Sequence, residues 1–419
     1  MAASNIYVGL EIGTSKVCIV VGEVRSDGAI KILGVGQHPS AGVRKGEIVD
    51  AETVQTCLHD ALMRAEERSD VEINTVFLAV TGSHIQSLNN RGTIRVSDEQ
   101  MEISNEDLDE VKKIARDVPL PKENGFVHSI IQHYYVDGQD KITNPTGMLG
   151  QKLEADYHII HGVKTRIQNA IKCVREVPLE VEDIVFSPVA AAQVVLNREA
   201  KNEGALLLDI GGGTTDYICF VDGAVVASGC VAIGGDHITN DIALVLKIPL
   251  ARAEKLKVAH GSASLKGIAD IEISVEGESG KKVHQELLNQ IMNARVTELL
   301  TVVYEPLAKA GYLEKLGKGI YLTGGSSLMK GIADVTEEIF GIPVQKAGSP
   351  SMSGPSALFE NPQYATPVGL IRYAQLLDEQ RPKKGTFSKL GERLEKIFGG
   401  RVQDKKVKPR VFRCRVPIF

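Results

Sequence analysis

The sequence predicts an α/β fold built from two duplicated domains, and three glycine turns carry that prediction. The first is Leu206-Leu207-Leu208-Asp209-Ile210-Gly211-Gly212-Gly213-Thr214-Thr215-Asp216, in which an apolar run reads as a core strand ending on an acid. Glycines and hydroxyls follow, and Tyr217-Ile218-Cys219-Phe220-Val221 supplies a second strand at once. The second turn repeats this plan 198 residues earlier, where Val8-Gly9-Leu10-Glu11-Ile12-Gly13-Thr14-Ser15-Lys16 leads into Val17-Cys18-Ile19-Val20-Val21. A separation of that size is a domain-scale duplication rather than a solenoid repeat. The third turn, Leu322-Thr323-Gly324-Gly325-Ser326-Ser327-Leu328, also ends a strand but carries no acid.

These residue types together point to a metal-phosphate ligand. Glycines permit tight turns and let backbone N–H groups approach a ligand closely, and consecutive N–H groups form an anion-binding concavity. Glu11 and Asp209, each at a strand end, are placed to hold one Mg²⁺ or its water shell between them. Two such hairpins face to face would clamp a polyphosphate, and the uncharged third turn suits the other end of a nucleotide. No turn fits G-x-x-x-x-G-K-[ST] or G-x-G-x-x-G, which argues against a P-loop and a dinucleotide site.

The elements follow in order. Asp50 is the expected N-cap of a helix with Val54, Cys57, Leu58, Ala61, Leu62 and Ala65 on its inner face. Val76–Gly82 reads as a buried strand. Residues 84–162 differ in character. They hold a helix near Glu106–Arg116 capped by Ser104 or Asn105, strands His128–Val136 and Leu153–His161, and no phosphate turn, so they read as an α+β insertion. His128, His133, His158 and His161 mix strand faces, which favours surface or structural roles over zinc. Thr165 is the expected cap of a helix to about Val177. Ile184–Phe186 is a strand, and Ser187-Pro188 opens the next helix. Ala224–Gly229 completes a sheet. Gly234-Gly235-Asp236 opens a helix whose N-terminus is free for phosphate or ribose. Glu254 and Lys257 share a helix face. Residues 266–284 read as short charged strands. Gln285–Val303 reads as a helix with Leu287, Leu288, Ile291, Val296, Leu299, Leu300 and Val303 inward and Arg295 and Glu298 outward.

The three turns in this order resemble the two phosphate loops and the adenosine loop of the actin, Hsp70 and sugar-kinase ATPase superfamily. Gly9–Val17, Ser187–Ala192, Gly234–Ala243 and Ala253–Lys257, together with the insertion and a C-terminal helix, resemble the bacterial cell-division FtsA family. That resemblance implies an actin-like α/β fold with domain 1A at 1–83, 163–193 and 361–380 and an inserted subdomain 1C at 84–162. Domain 2A then falls at 194–237 and 303–360, and subdomain 2B at 238–302. It implies ATP and Mg²⁺ as cofactors. Glu11 and Asp209 would face the metal, and Gly13, Thr14, Ser15, Lys16, Gly211, Gly212, Gly213, Thr214 and Thr215 the phosphates. Gly234, Gly235 and Asp236 would face phosphate or ribose, the Glu254/Lys257 pair would hold the ribose and base, and Gly324, Gly325 and Ser326 would lie at the adenosine end. Hsp70-like relatives place a water-orienting Glu where Ser187 stands, so the chain is expected to be at most a slow ATPase, with Gln193 as the remaining candidate to polarise water.

Composition adds a tail. Residues 381–419 hold 13 Lys/Arg and 3 Asp/Glu, a net +10 on a chain of net −5, which leaves the preceding 380 residues at −15. An acidic body argues against nucleic acid as a partner, and a basic tail suggests an anionic surface. Phe387, Leu390, Leu394, Ile397 and Phe398 form one apolar stripe at helical spacing, the pattern of an interfacial helix. In the FtsA family a C-terminal helix targets the membrane, though usually at the very end; here Arg401–Phe419 follows it. Six scattered Cys without a CxxC pair fit a reducing compartment. The first five residues show no signal peptide, and no run approaches a transmembrane span.

The expected function is therefore an ATP-binding actin-like protein that polymerises and anchors FtsZ filaments to the cytoplasmic face of the cell membrane at the division site. The resemblance implies FtsZ-tail binding through 2B and recruitment of later division proteins through 1C. A PilM-type scaffold, a sugar kinase and an Hsp70-like chaperone are the alternatives within the superfamily; the kinase would need a catalytic Asp and the chaperone a β-rich peptide domain.

Overall fold

The computed structural model describes residues 5–97, 100–267, 271–277, 280–345, 352–353 and 361–380. It opens with an antiparallel meander of β1 (Asn5–Ile12), β2 (Lys16–Val24) and β3 (Ile30–Pro39). Helix α1 (Ala51–Ser69) is capped by Asp50, whose side chain accepts the Thr53 N–H at 3.2 Å. The six apolar residues expected inward on it are all buried. It lies very close to β3, because a Cβ at Gly36 would sit 1.9 Å from the Ala61 carbonyl oxygen. The chain returns as β4 (Thr75–Val80), parallel to β1.

The insertion follows as β5 (Gln86–Arg95), α2 (Asn105–Arg116), β6 (Asn124–Val136), β7 (Gln139–Ile142) and β8 (Lys152–Val163). Its four strands form a separate antiparallel sheet in the order β5-β8-β6-β7, with its own apolar core around Val111, Leu153 and Ile159. Ser104 caps α2 in a reciprocal box with Asp107. The histidines here are structural where they are buried. His128 and His158 are each 1% exposed and His161 is 4% exposed. Burial pushes His128 and His158 down to about 3, so both imidazoles are neutral.

Helix α3 (Lys164–Glu176) begins directly off β8, and this corrects one expectation. Its N-cap is Val163, with no side-chain cap, and Thr165 lies inside the first turn. Next come β9 (Glu180–Phe186), parallel to β4, and α4 (Ser187–Val195).

The second half repeats the first. It contains β10 (Ala205–Ile210), β11 (Thr215–Val221), β12 (Ala224–Val231), α5 (Gly235–Leu246) and α6 (Leu250–His260). The short pair β13 (Glu272–Ser274) and β14 (Lys282–His284) leads to α7 (Gln285–Lys309). Then follow β15 (Gly319–Thr323), α8 (Ile332–Phe340), β16 (Val344–Gln345) and α9 (Ala365–Gln380). Five strands of the first sheet run β9-β4-β1-β2-β3, with Met352–Ser353 added parallel to the outer edge of β3, and the second sheet runs β16-β15-β10-β11-β12; in each five, two parallel pairings are followed by two antiparallel ones. This identity of order and direction makes the duplication a structural fact.

Helix α7 runs six residues beyond the expected Val303, because Leu307 continues the buried stripe on the second domain's core. Leu287 is 40% exposed rather than inward. Arg295 is half-buried, since its guanidinium pairs with Asp241 at 2.6 Å. The expected C-terminal helix lies outside the described residues.

Candidate functional site

The two acid-glycine hairpins meet. A Cβ on Gly212 would lie 2.0 Å from Ser15 Oγ, and one on Gly213 would lie 2.4 Å from Thr14 Oγ1. The glycines thus let one hairpin's backbone contact the other's hydroxyls, an approach any side chain would block. The third turn joins them. Gly324 has φ +84°, and a Cβ there would sit 2.4 Å from Asp209 Oδ1. Ser326 Oγ donates to the Gly211 carbonyl at 2.9 Å.

Together they line a cavity of about 550 Å³. Of the expected residues, it is lined by Glu11, Gly13, Thr14, Ser15 and Lys16, by Asp209, Gly211, Gly212, Gly213 and Thr214, and by Gly235 and Asp236 at the start of α5. Glu254, Lys257, Gly324, Gly325 and Ser326 complete the set. Val258, Leu328 and Met329 give the far end an apolar character.

Three expected residues are not among the lining. Thr215 is buried beneath it, its hydroxyl donating to the Ile233 carbonyl at 2.9 Å. Gly234 supports the turn from behind, where a Cβ would meet the Gly212 carbonyl at 2.6 Å. Gln193 is the clear correction. Its amide donates to the Val189 carbonyl at 3.0 Å and accepts from buried Lys201 at 3.4 Å, so packing in α4 commits it away from the cavity.

The electrostatics are those of a carboxylate-rich floor. Burial and the Glu11 charge push Asp209 up to about 6, while the Thr366 hydroxyl, donating at 2.8 Å, and Lys16 oppose the shift. Burial pushes Asp216 up to about 7, although Thr81 Oγ1 lies 2.6 and 2.7 Å from its two oxygens. Glu11 Oε2 is buried without a hydrogen-bond partner, and the Lys16 ammonium stands 3.8 Å from it. Burial would lower the Lys16 pKa, but Glu11 and the other groups around it outweigh burial and raise it. Lys16 also donates to the Gln363 carbonyl at 2.6 Å. An orphaned carboxylate oxygen beside a carboxyl of raised pKa is an arrangement a cation would relieve. Among the described residues no group of three or more His, Cys, Asp or Glu is arranged to hold a metal. A cation between Glu11 and Asp209 would therefore complete its shell with water and ligand oxygens. Lys257 forms an ion pair with Glu254 at 2.6 Å and donates to the Gly235 carbonyl at 3.1 Å, so the pair is tied to the start of α5.

Sequence reasoning missed Thr81, Gln363 and Thr366 as lining residues and did not assign Asp216 to the site. Asp216 was visible as the acid ending the Leu206–Asp216 motif. Thr366 is 157 residues from the Asp209 it touches, and no local signal marks it.

Comparison with known proteins identifies the family. A model described as "Cell division protein FtsA" matches residues 206–369, and one described as "SHS2 domain inserted in FTSA" matches 82–161. The Cell division protein FtsA of Pseudomonas aeruginosa is 37% identical over 88% of this chain and 89% of its own length. That of Escherichia coli K12 is 33% identical over 94% and 96%. The chain belongs to the FtsA family. Solved structures agree on the fold. A PilM-PilN type IV pilus biogenesis complex superposes with a TM-score of 0.64 at 16% identity, covering 90% of this chain and 99% of the other. MreB5 of Spiroplasma citri bound to ADP gives 0.51 at 16% identity, covering 94% and 99%. This FtsA-family chain is thus an actin-like cell-division protein with an SHS2 insertion. Among its described residues no helix is long and apolar enough to cross a membrane.

Proposed function

We propose that this FtsA-family protein binds Mg²⁺-ATP in the cleft, polymerises, and anchors FtsZ filaments to the inner face of the cell membrane at the division site. The observation that carries the nucleotide reading is the meeting of the two hairpins, with Gly212 and Gly213 against Ser15 and Thr14 over Glu11 and Asp209. The apolar end of the cavity suits a base, and the glycine end suits phosphates. An actin-like structure of the same fold is bound to ADP, which supports that assignment. When bound, the metal would neutralise the phosphates and the two carboxylates. This chain's own contribution is the backbone cradle, the Lys16 charge and the Thr366 contact that orients Asp209.

Ser187 lines the cavity and donates to the Val80 carbonyl at 3.2 Å, so a hydroxyl stands where the Hsp70-like proteins of the superfamily are expected to hold a water-orienting carboxylate. Turnover should be slow, and ATP would act as a ligand that biases cleft closure and assembly. FtsZ-tail binding through 238–302 and recruitment through the insertion are proposed from family membership.

Membrane attachment is proposed for the stripe Phe387, Leu390, Leu394, Ile397 and Phe398. The stripe is short, so single copies should bind weakly and filaments strongly, because linked subunits raise effective concentration. The test is co-pelleting with FtsZ and anionic liposomes, with and without residues 386–419. Leu394→Glu should abolish flotation with the liposomes; wild-type flotation by that variant would move the anchor to Arg401–Phe419. Calorimetry with Mg²⁺-ATP tests the cleft, and the absence of binding heat from the wild type would overturn the nucleotide reading.

A further inference from the structure

The insertion is attached to the two halves of the molecule by different chemistry. Toward the first domain the attachment is apolar. Val127, Ile130 and Ile160 lie in one buried core with Val80, Ile184 and Phe186, a core that continues to Val225 at the start of β12, and the buried His128 imidazole accepts the Phe186 N–H at 2.9 Å. Toward the second domain the hydrogen bonds come from side chains. Ser87 Oγ donates to the Ser228 carbonyl at 2.6 Å, Asn89 Nδ2 to the Val226 carbonyl at 2.9 Å, and Gln132 Nε2 to the Val225 carbonyl at 2.6 Å. Their common receiver, β12, is the edge strand of the second sheet. Among the described residues no backbone–backbone hydrogen bond joins that edge to the insertion.

His158 pins this seam. Its Nδ1 lies 2.7 Å from Asn89 Oδ1 and its Nε2 lies 2.8 Å from Ser228 Oγ. Asn89 Oδ1 can only accept, so Nδ1 carries the proton and Nε2 accepts from the Ser228 hydroxyl. Burial keeps the ring neutral, with one donor and one acceptor, and both are used.

We propose that the insertion is a latch: it travels with the first domain and grips edge strand β12 of the second through Ser87, Asn89, Gln132 and His158, so that cleft opening requires its release. The insertion enters and leaves the chain within the first domain and shares that domain's core, whereas the hydrogen bonds it makes to β12 come from side chains. An apolar weld resists separation, whereas side-chain hydrogen bonds exchange readily with water and are individually modest. A motion that carries β12 away from the first domain must break these bonds. By reciprocity, a ligand that favours the closed cleft tightens the latch, and a released latch weakens that ligand. This last consequence rests on the nucleotide reading above; the latch itself does not.

The experiment uses the full chain and the double variant Asn89→Ala/Gln132→Ala, which changes an exposed and a half-buried side chain outside the cavity. Hydrogen exchange of amides 224–231 and the dissociation rate of a fluorescent ATP analogue are measured. Exchange in that segment should rise about tenfold and dissociation several-fold. Gln132→Ala alone should move both in the same direction by less. Wild-type exchange in both variants overturns the latch. If the analogue fails to bind the wild type, the nucleotide reading falls, and the exchange measurement still decides the latch.

Discussion

The hairpins β1–β2 and β10–β11 share a backbone and differ in charge. In the first, Glu11 stands opposite Cys18; in the second, Asp209 stands opposite Asp216. Burial pushes the Cys18 thiol up to about 12, so that position is neutral in the first hairpin and carboxylic in the second. The first hairpin also carries Lys16, where the second continues with glycines and Thr214. The glycine turn recurs because both sides need backbone at close range, a steric requirement. Charge is divided instead: the cation sits on one side and the two shifted carboxyls on the other.

The largest expected effect comes from breaking the steric half of this comparison. Gly212→Val puts a branched side chain where even a Cβ meets Ser15 Oγ at 2.0 Å. ATP affinity by calorimetry should fall on the order of 100-fold or more, or about 3 kcal/mol. Gly13→Val should cost less, because the nearest atom to its Cβ is the Lys16 carbonyl at 3.0 Å. Equal losses would mean that the hairpins are not asymmetric in fit.

The electrostatic half is tested by Asp209→Asn. The folded state raises this carboxyl's pKa to about 6 from 3.8, so the native protein binds more protons than the unfolded chain between those values. Stability therefore falls as pH rises from about 4 to 6, and the penalty is fully present above that range. Without nucleotide, Asp209→Asn should stabilise the protein at pH 7.5 by on the order of 1–3 kcal/mol and change little at pH 4. Mg²⁺-dependent ATP binding should be lost in the same variant. Asp216→Asn should act in the same direction on stability, and urea unfolding at both pH values is the measurement. A gain at pH 4 equal to that at pH 7.5 would contradict the assignment.

Thr366→Val removes the hydroxyl that steadies ionised Asp209. Stability at pH 7.5 should drop by about 1 kcal/mol, with a smaller change below pH 4, as read by thermal unfolding. The smallest effect is expected at Lys257→Ala. Its ion pair with half-exposed Glu254 contributes little by itself, so ATP affinity should weaken only a few-fold. A loss as large as that of Gly212→Val would make the Lys257 end the main source of affinity.

Much of this was legible without coordinates. The hairpins, α1 with its Asp50 cap, a cap for α2 at Ser104 or Asn105 and the α+β character of the insertion were all readable, because each depends on neighbours within a few residues. Glycine sterics, capping and the apolar period act over that range. The exact start of α3 was not readable, since Val163 passes from strand to helix with no capping side chain to mark it. Nor was the fate of Gln193, which its helix neighbours and Lys201 decide.

By itself the sequence determined that two acid-glycine hairpins exist, that they belong to duplicated domains, and that an unlike segment interrupts the first. Only the tertiary structure decided what those pieces touch. It placed Thr366 on Asp209, Thr81 on Asp216, and the insertion's side chains on the edge of the second sheet. The physical reason is range. Backbone preference and periodicity are properties of short stretches, whereas a contact between residues more than a hundred positions apart exists only once all the intervening packing has brought them together.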